Sequence, residues 1–107
     1  MKETQKLIQD MVSAINIILE YDIDTYDHFL RDEKTQDAIM YRLIILGEAA
    51  NQIPDELQES HPEIPWSSMI GTRNVIVHGY DQVKLQIVWD IIQNNLPALK
   101  VSLEIFL

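Results

Sequence analysis

Apolar positions recur at intervals of three and four along most of the chain, the spacing that lines one face of an α-helix. The first such stripe runs from about Thr4 to Glu20 and holds Leu7, Ile8, Met11, Val12, Ile15, Ile18 and Leu19. Asp22 and Asp24 interrupt it, and Asp24 or Thr25 is suited to cap a short second helix carrying Tyr26, Phe29 and Leu30. A third helix is expected from about Thr35 to Gln52. Its centre, residues 38–46, is apolar nearly all round, so it should be buried on most sides. In so small a domain that pattern predicts a second subunit over one face. Pro54 ends the helix.

Pro54 to His61 is polar, with room for one or two helical turns, and Pro62 and Pro65 make a turn-rich connection. Trp66 opens the next apolar segment, with Ser67 as its candidate cap. Val75, Ile76 and Val77 are β-branched and suit a strand, yet the chain offers no second clear strand to pair with them. The segment is therefore expected to be helical. Gly79 suits the left-handed position that follows a helix end, and Asp81 can cap the last helix. In that helix Val88, Ile91, Ile92, Leu96, Leu99, Leu103 and Phe106 form one long stripe, which Pro97 should kink or restart. Four to five helices with short connections predict a single all-α domain over residues 1–107, packed as an antiparallel bundle.

A chain of 107 residues is long enough to bury one core, and its 47% apolar content is too high for a disordered protein. No uninterrupted apolar run reaches the length of a membrane span, and the charged N-terminus lacks the apolar centre of a secretory signal. The absence of cysteine excludes disulfides and thiolate metal sites and fits a cytoplasmic protein. The formal net charge is −9, the reverse of what a broad basic nucleic-acid surface requires. That charge is uneven. Between Glu20 and Asp37 seven acids stand against Arg31 and Lys34, a solvated face or a docking site for a basic partner. Between His61 and Tyr80 there is one acid, Glu63, and one arginine, Arg73, together with His61 and His78. An anionic ligand would have to be held there by few groups.

Arg73 and His78 are the strongest candidates for chemistry. Arginine is permanently charged and grips phosphate with a planar fork of donors, while histidine exchanges a proton near neutral pH. Together they suit RNA cleavage without a metal: proton transfer to and from the reacting oxygens, with fixed positive charge at phosphorus. On a helix Asn74 and His78 share a face, so Asn74 can orient the imidazole. Arg73 and His78 lie five apart, about 140° around the cylinder, and do not meet on one straight helix. A distorted helix, an arginine that reaches round, or a second copy across a two-fold axis would resolve this, and a shared interfacial site also doubles the supply of histidines.

Arg73-x4-His78-x-Tyr80 resembles the Arg-x4–6-His signature of HEPN domains, in particular the Arg-x4-His-x-Tyr form of HepT-like toxins. The surroundings are similar too: Leu46-Gly47-Glu48-Ala49-Ala50, Ile64-Pro65-Trp66, and residues 87–92 followed by Leu96-Pro97-Ala98-Leu99. The resemblance covers the chain from about Asp37 onward. It implies a HEPN-like helical homodimer acting as a metal-independent endoribonuclease, the toxin of a toxin–antitoxin pair, with Arg73 and His78 catalytic and Asn74 as the polar residue after the arginine. It further implies a cognate antitoxin, a minimal nucleotidyltransferase that uses ATP to attach AMP to Tyr80. Bulk and negative charge added there would obstruct a phosphate-binding site.

Glu48 has two readings, an exposed acid on the helix edge or a buried partner of Arg42 or Arg73. His61 and His28 are expected at the surface, and His61 with Glu63 lacks the further ligands of a metal site, so no metal or cofactor is expected. Trp66 and Trp89 are expected in the core. The rival to the nuclease is a non-enzymatic HEPN-like dimer that binds a nucleotidyltransferase and helps present its substrate. A bundle that only dimerises needs no chemistry at all.

Overall fold

In the computed structural model, which describes residues 3–107, the first apolar stripe becomes α1, Thr4–Leu19, with Leu7, Ile8, Met11, Val12, Ala14, Ile15 and Ile18 buried. Thr25 caps α2, Tyr26–Arg31, its side chain accepting from the His28 amide at 3.1 Å. Phe29 is buried in the core, while Leu30 at the same end of α2 is exposed. Helix α3, Glu33–Gln52, begins two residues before the expected start because Asp32 caps it. The Asp32 carboxylate accepts from the Thr35 amide at 3.1 Å and the Thr35 hydroxyl at 2.7 Å. These bonds, the hydroxyl's first, hold the Asp32 carboxyl below its ordinary pKa. Gln36 donates back to the carbonyls of Phe29 and Leu30, which ties α2 to the start of α3.

Helix α4, Asp55–Ser60, is the short polar turn expected after Pro54, and α5, Trp66–His78, carries the β-branched run as helix. Pro65, not Ser67, stands at the N-cap of α5, and no side chain caps it. The Trp66 amide donates back to the Ile64 carbonyl at 2.9 Å, which gives one of the helix's free donors a partner without a hydroxyl. A 3-10 turn, Tyr80–Gln82, follows. Gly79 joins it to α5 with φ −142°, so it does not adopt the left-handed conformation expected of it. The Gly79 amide donates to the Val75 carbonyl at 2.7 Å, and the chain then tightens into the 3-10 turn instead of reversing. Asp81 lies inside that turn and caps nothing. Helix α6, Leu85–Asp90, starts at Lys84 without a side-chain cap.

The last stripe forms one rod, α6, then a π turn at Ile91–Asn95, then α7, Leu96–Glu104. Pro97 falls in the first turn of α7, and its missing amide leaves one gap in the hydrogen bonding of the rod. The wider π turn absorbs the proline's conflict with the preceding turn, so the helix restarts.

Four long helical units and two short helices make an all-α bundle among the described residues. Helix α3 lies at its centre, packed against α1 on one side and α5 on the other, while α1 also meets α7. Ile39, Met40, Leu43, Leu46, Ala49 and Ala50 of α3 are buried by these neighbours, and Ile44 and Ile45 are half-buried. Within the chain α3 is thus covered on most sides, while Tyr41 at its centre stays 58% exposed. Trp66 is buried, and Trp89 packs 5.7 Å from Phe29 and 6.1 Å from Tyr26, ring centre to ring centre. Trp66 belongs to the core, as expected, and Trp89 is half-buried and packs against it.

Candidate active site

The close contact of α3 with α5 decides where Arg73 sits. A β-carbon placed on Gly47 would lie 2.7 Å from the Met69 carbonyl oxygen and would overlap the β-carbon of Arg73. Glycine at 47 therefore lets the backbones approach, with Ala49 and Ala50 buried beside it. The stem of Arg73 rests on Gly47, and its Nε is buried without a hydrogen-bond partner. Towards the other end of the seam, Tyr80 reaches Asp37. Gly47 faces Arg73 and Asp37 faces Tyr80, so α3 and α5 run antiparallel.

The outer guanidinium nitrogens of Arg73 are held by two neighbours. One donates to Asn74 Oδ1 at 2.9 Å, the other to Glu48 Oε1 at 3.4 Å. Glu48 is therefore the partner of Arg73, as one reading of its position expected. The pair is not buried, however, since the Glu48 side chain is 51% exposed. Arg42 instead leans over the ring of Tyr41, 5.4 Å from its centre. An ion pair this open contributes little stability, and its effect is to aim the guanidinium. Beside it lies a polar cavity of about 250 Å³ lined by Glu48, Asn51, Gln52, Ile70, Arg73 and Asn74.

Asn74 departs from its expected role. Its oxygen is engaged by Arg73, and no hydrogen bond links it to His78. His78 is exposed on the last turn of α5, and its side chain makes no hydrogen bond or ion pair with any described residue. One chain thus assembles Arg73, Asn74 and Glu48 into a cluster and leaves the His78 imidazole free at the helix end.

Tyr80 is 55% exposed, and its hydroxyl donates to Asp37 Oδ1 at 2.5 Å. This bond, with desolvation and the negative charges of Asp37 and Glu33, raises the phenol above its ordinary pKa. Sequence reasoning counted Asp37 only within the acidic segment. Nothing local marks it as the partner of a tyrosine 43 residues away. His61 is half-buried, its ring edge-on to Phe106 at 4.7 Å and its Nδ1 3.1 Å from Glu63. His28 lies between Asp24, at 3.1 Å, and Asp32, at 3.9 Å. Among the described residues no three His, Asp or Glu side chains stand close enough to hold a metal ion. No helix among them is long and apolar enough to cross a membrane.

A helical bundle carrying arginine and histidine on one helix, with a tyrosine just past its end, is the arrangement these residues define. The chain belongs to the family described as "Ribonuclease HepT-like", which matches residues 8–105. It is similar to a protein of Thermococcus cleftensis named "Probable ribonuclease HepT", with 36% identity over 106 residues, 97% of this chain and 96% of that one. It is also similar to "Putative RNase MJ0127" of Methanocaldococcus jannaschii, with 32% identity over 97 residues, 90% of this chain and 80% of that one. No solved structure matches the chain.

Proposed function

We propose that this chain is a metal-independent endoribonuclease, the toxin of a toxin–antitoxin pair, and that AMP attached to Tyr80 by a minimal nucleotidyltransferase silences it. Membership of the HepT-like ribonuclease family supports the reaction class. The observation that carries the assignment to residues is the preset guanidinium of Arg73, aimed by Asn74 and Glu48 beside an open polar cavity. A phosphodiester drawn into that cavity would exchange these partners for its own oxygens, which bind a guanidinium more strongly than an amide does. His78 supplies the exchangeable proton.

Within one chain His78 has no link to the Arg73 cluster, and the five-residue step turns the two apart. A homodimer that brings Arg73 of one copy towards His78 of the other completes the site. The exposed Val77, four residues from Arg73 and on its side of α5, fits a surface that meets a second copy.

The decisive experiment incubates unmodified protein with single-stranded RNA in EDTA. Cleavage is expected, with a loss of at least ~10²-fold in Arg73→Ala and in His78→Ala. Intact RNA with wild-type protein would remove the nuclease reading. The rival, a non-enzymatic dimer that serves a nucleotidyltransferase, draws on the net charge of −9 and on Glu48, which opposes anions at the cavity.

A further inference from the structure

Exposure does not distinguish Tyr80 from the other tyrosines. Tyr41 is 58% exposed against 55% for Tyr80. What sets Tyr80 apart is its hydroxyl partner. Among the described residues the hydroxyls of Tyr21, Tyr26 and Tyr41 make no hydrogen bond, whereas that of Tyr80 is bound by the Asp37 carboxylate at 2.5 Å. The two residues come from different helical elements, α3 and the 3-10 turn after α5. Both are exposed, so an enzyme-held nucleotide can approach the phenol oxygen and water can reach the carboxylate.

We infer that Asp37 is the proton acceptor for nucleotidyl transfer to Tyr80. The inference rests on the reading that Tyr80 is adenylated and adds the group on this chain that makes its oxygen reactive. Tyr80 Oη attacks the α-phosphorus of ATP held by the partner enzyme and forms a new O–P bond. The bond from that phosphorus to the oxygen bridging the α- and β-phosphates breaks, and pyrophosphate leaves with the electron pair. The phenolic proton passes to Asp37 and from there to water.

The need for such an acceptor follows from the surroundings of Tyr80. Asp37 and Glu33 favour the neutral phenol, so phenolate is scarce at neutral pH and the oxygen must lose its proton during attack. A carboxylate already bonded to that proton meets the geometric requirement for a general base. The same device, an aspartate accepting a hydroxyl proton during attack on phosphorus, serves phosphoryl transfer in protein kinases. The bond also fixes the direction of the phenol oxygen on an otherwise open surface.

The test uses full-length protein, a cognate minimal nucleotidyltransferase and ATP labelled at the α-phosphate, with the modified residue located by mass spectrometry. Wild-type protein is expected to take label on Tyr80. Asp37→Asn should slow labelling by about 10²–10⁴-fold, the usual value of a general base. Its residual rate should climb as pH rises and phenolate forms. Asp37→Glu should recover much of the loss, and RNA cleavage by unlabelled Asp37→Asn should match wild type. Equal labelling of wild type and Asp37→Asn would overturn the role of Asp37 while leaving adenylation of Tyr80 intact. No label on wild-type Tyr80 would overturn the silencing reading and this inference with it.

Discussion

Gly47 on α3 stands directly beneath the β-carbon of Arg73 on α5, and a methyl group on Gly47 would overlap it. The closest approach of the two helices and the position of the candidate catalytic arginine are therefore one structural fact. Gly47→Ala is expected to push the helices apart and destabilise the fold by about 1–3 kcal/mol, the usual cost of overpacking. Activity should fall further than stability alone explains, because Arg73 moves with α5. Denaturant unfolding together with cleavage measured well below the midpoint checks both. An unchanged midpoint would show that the contact relaxes freely.

Gly79 provides the contrast. Its φ is negative, and a β-carbon there would have no contact closer than 3.4 Å, with Gln82 Oε1 and the Val75 carbonyl. Gly79→Ala should change stability by less than about 1 kcal/mol, because no left-handed conformation is required. A large loss in thermal unfolding would contradict the conformation described.

Glu48 aims Arg73 but also places a negative charge at the cavity. Glu48→Gln keeps an acceptor for the guanidinium and removes the charge. Single-stranded RNA should bind several-fold tighter to this variant at low salt, and the gain should shrink as salt screens the site. Fluorescence anisotropy over a salt series reads this directly. Weaker binding would mean that the carboxylate charge, rather than its acceptor oxygen, holds Arg73 in place.

The composite site makes a mixing prediction. Arg73→Ala and His78→Ala proteins are each expected to be inactive, and exchange of their subunits should restore activity. Half the dimers would be mixed and one of their two sites intact, so roughly a quarter of wild-type activity should return. If each site takes both residues from one chain, no mixture recovers.

Two groups predict pH effects of opposite sense. Asp32 has a depressed carboxyl, so its capping contribution is present above the ordinary carboxylate pKa near 3.8 and is lost as pH falls through the folded value. Asp32→Ala should lower the melting temperature clearly at pH 7 and much less in strong acid. Tyr80 has a raised phenol, so the stability it lends is present below the ordinary value of 10.0 and is lost as pH rises through the folded one. Phenolate absorbance, with Tyr80→Phe subtracted, should show Tyr80 titrating above 10.0 and shifting down in Asp37→Asn. An unshifted titration would deny the Asp37 bond.

Much of the fold was legible in the sequence because helical burial writes itself at a fixed period. The stripes of α1 and of the α6–α7 rod follow from spacing for most residues, although Leu19 is exposed and Ala14 is buried, and the β-branched run at 75–77 belongs in a helix for lack of a strand partner. Helix ends were read less well. Asp32 and Pro65 stand at the caps where the pattern points to Thr35 as the start of α3 and Ser67 as the cap of α5, and Asp81 sits in a 3-10 turn. Several polar residues in a row can cap, and only the path of the backbone selects among them. The pattern along α3 is ambiguous for a related reason. A helix apolar all round shows that it is covered but not by what, and here α1 and α5 share the task.

By itself the sequence determined the all-α class, the faces that are buried and the residues capable of chemistry, Arg73, His78 and Tyr80. These are properties of residue type and of spacing along one helix, where each side chain's direction follows from its position. Only the tertiary structure decided the partners. Asn74 turns to Arg73 rather than to His78, Glu48 pairs with Arg73 rather than with Arg42, and Asp37 meets Tyr80 from 43 residues away. These pairings depend on where α3 and α5 cross, and that is set by the missing side chain of Gly47, which no pattern along the chain reports as a distance.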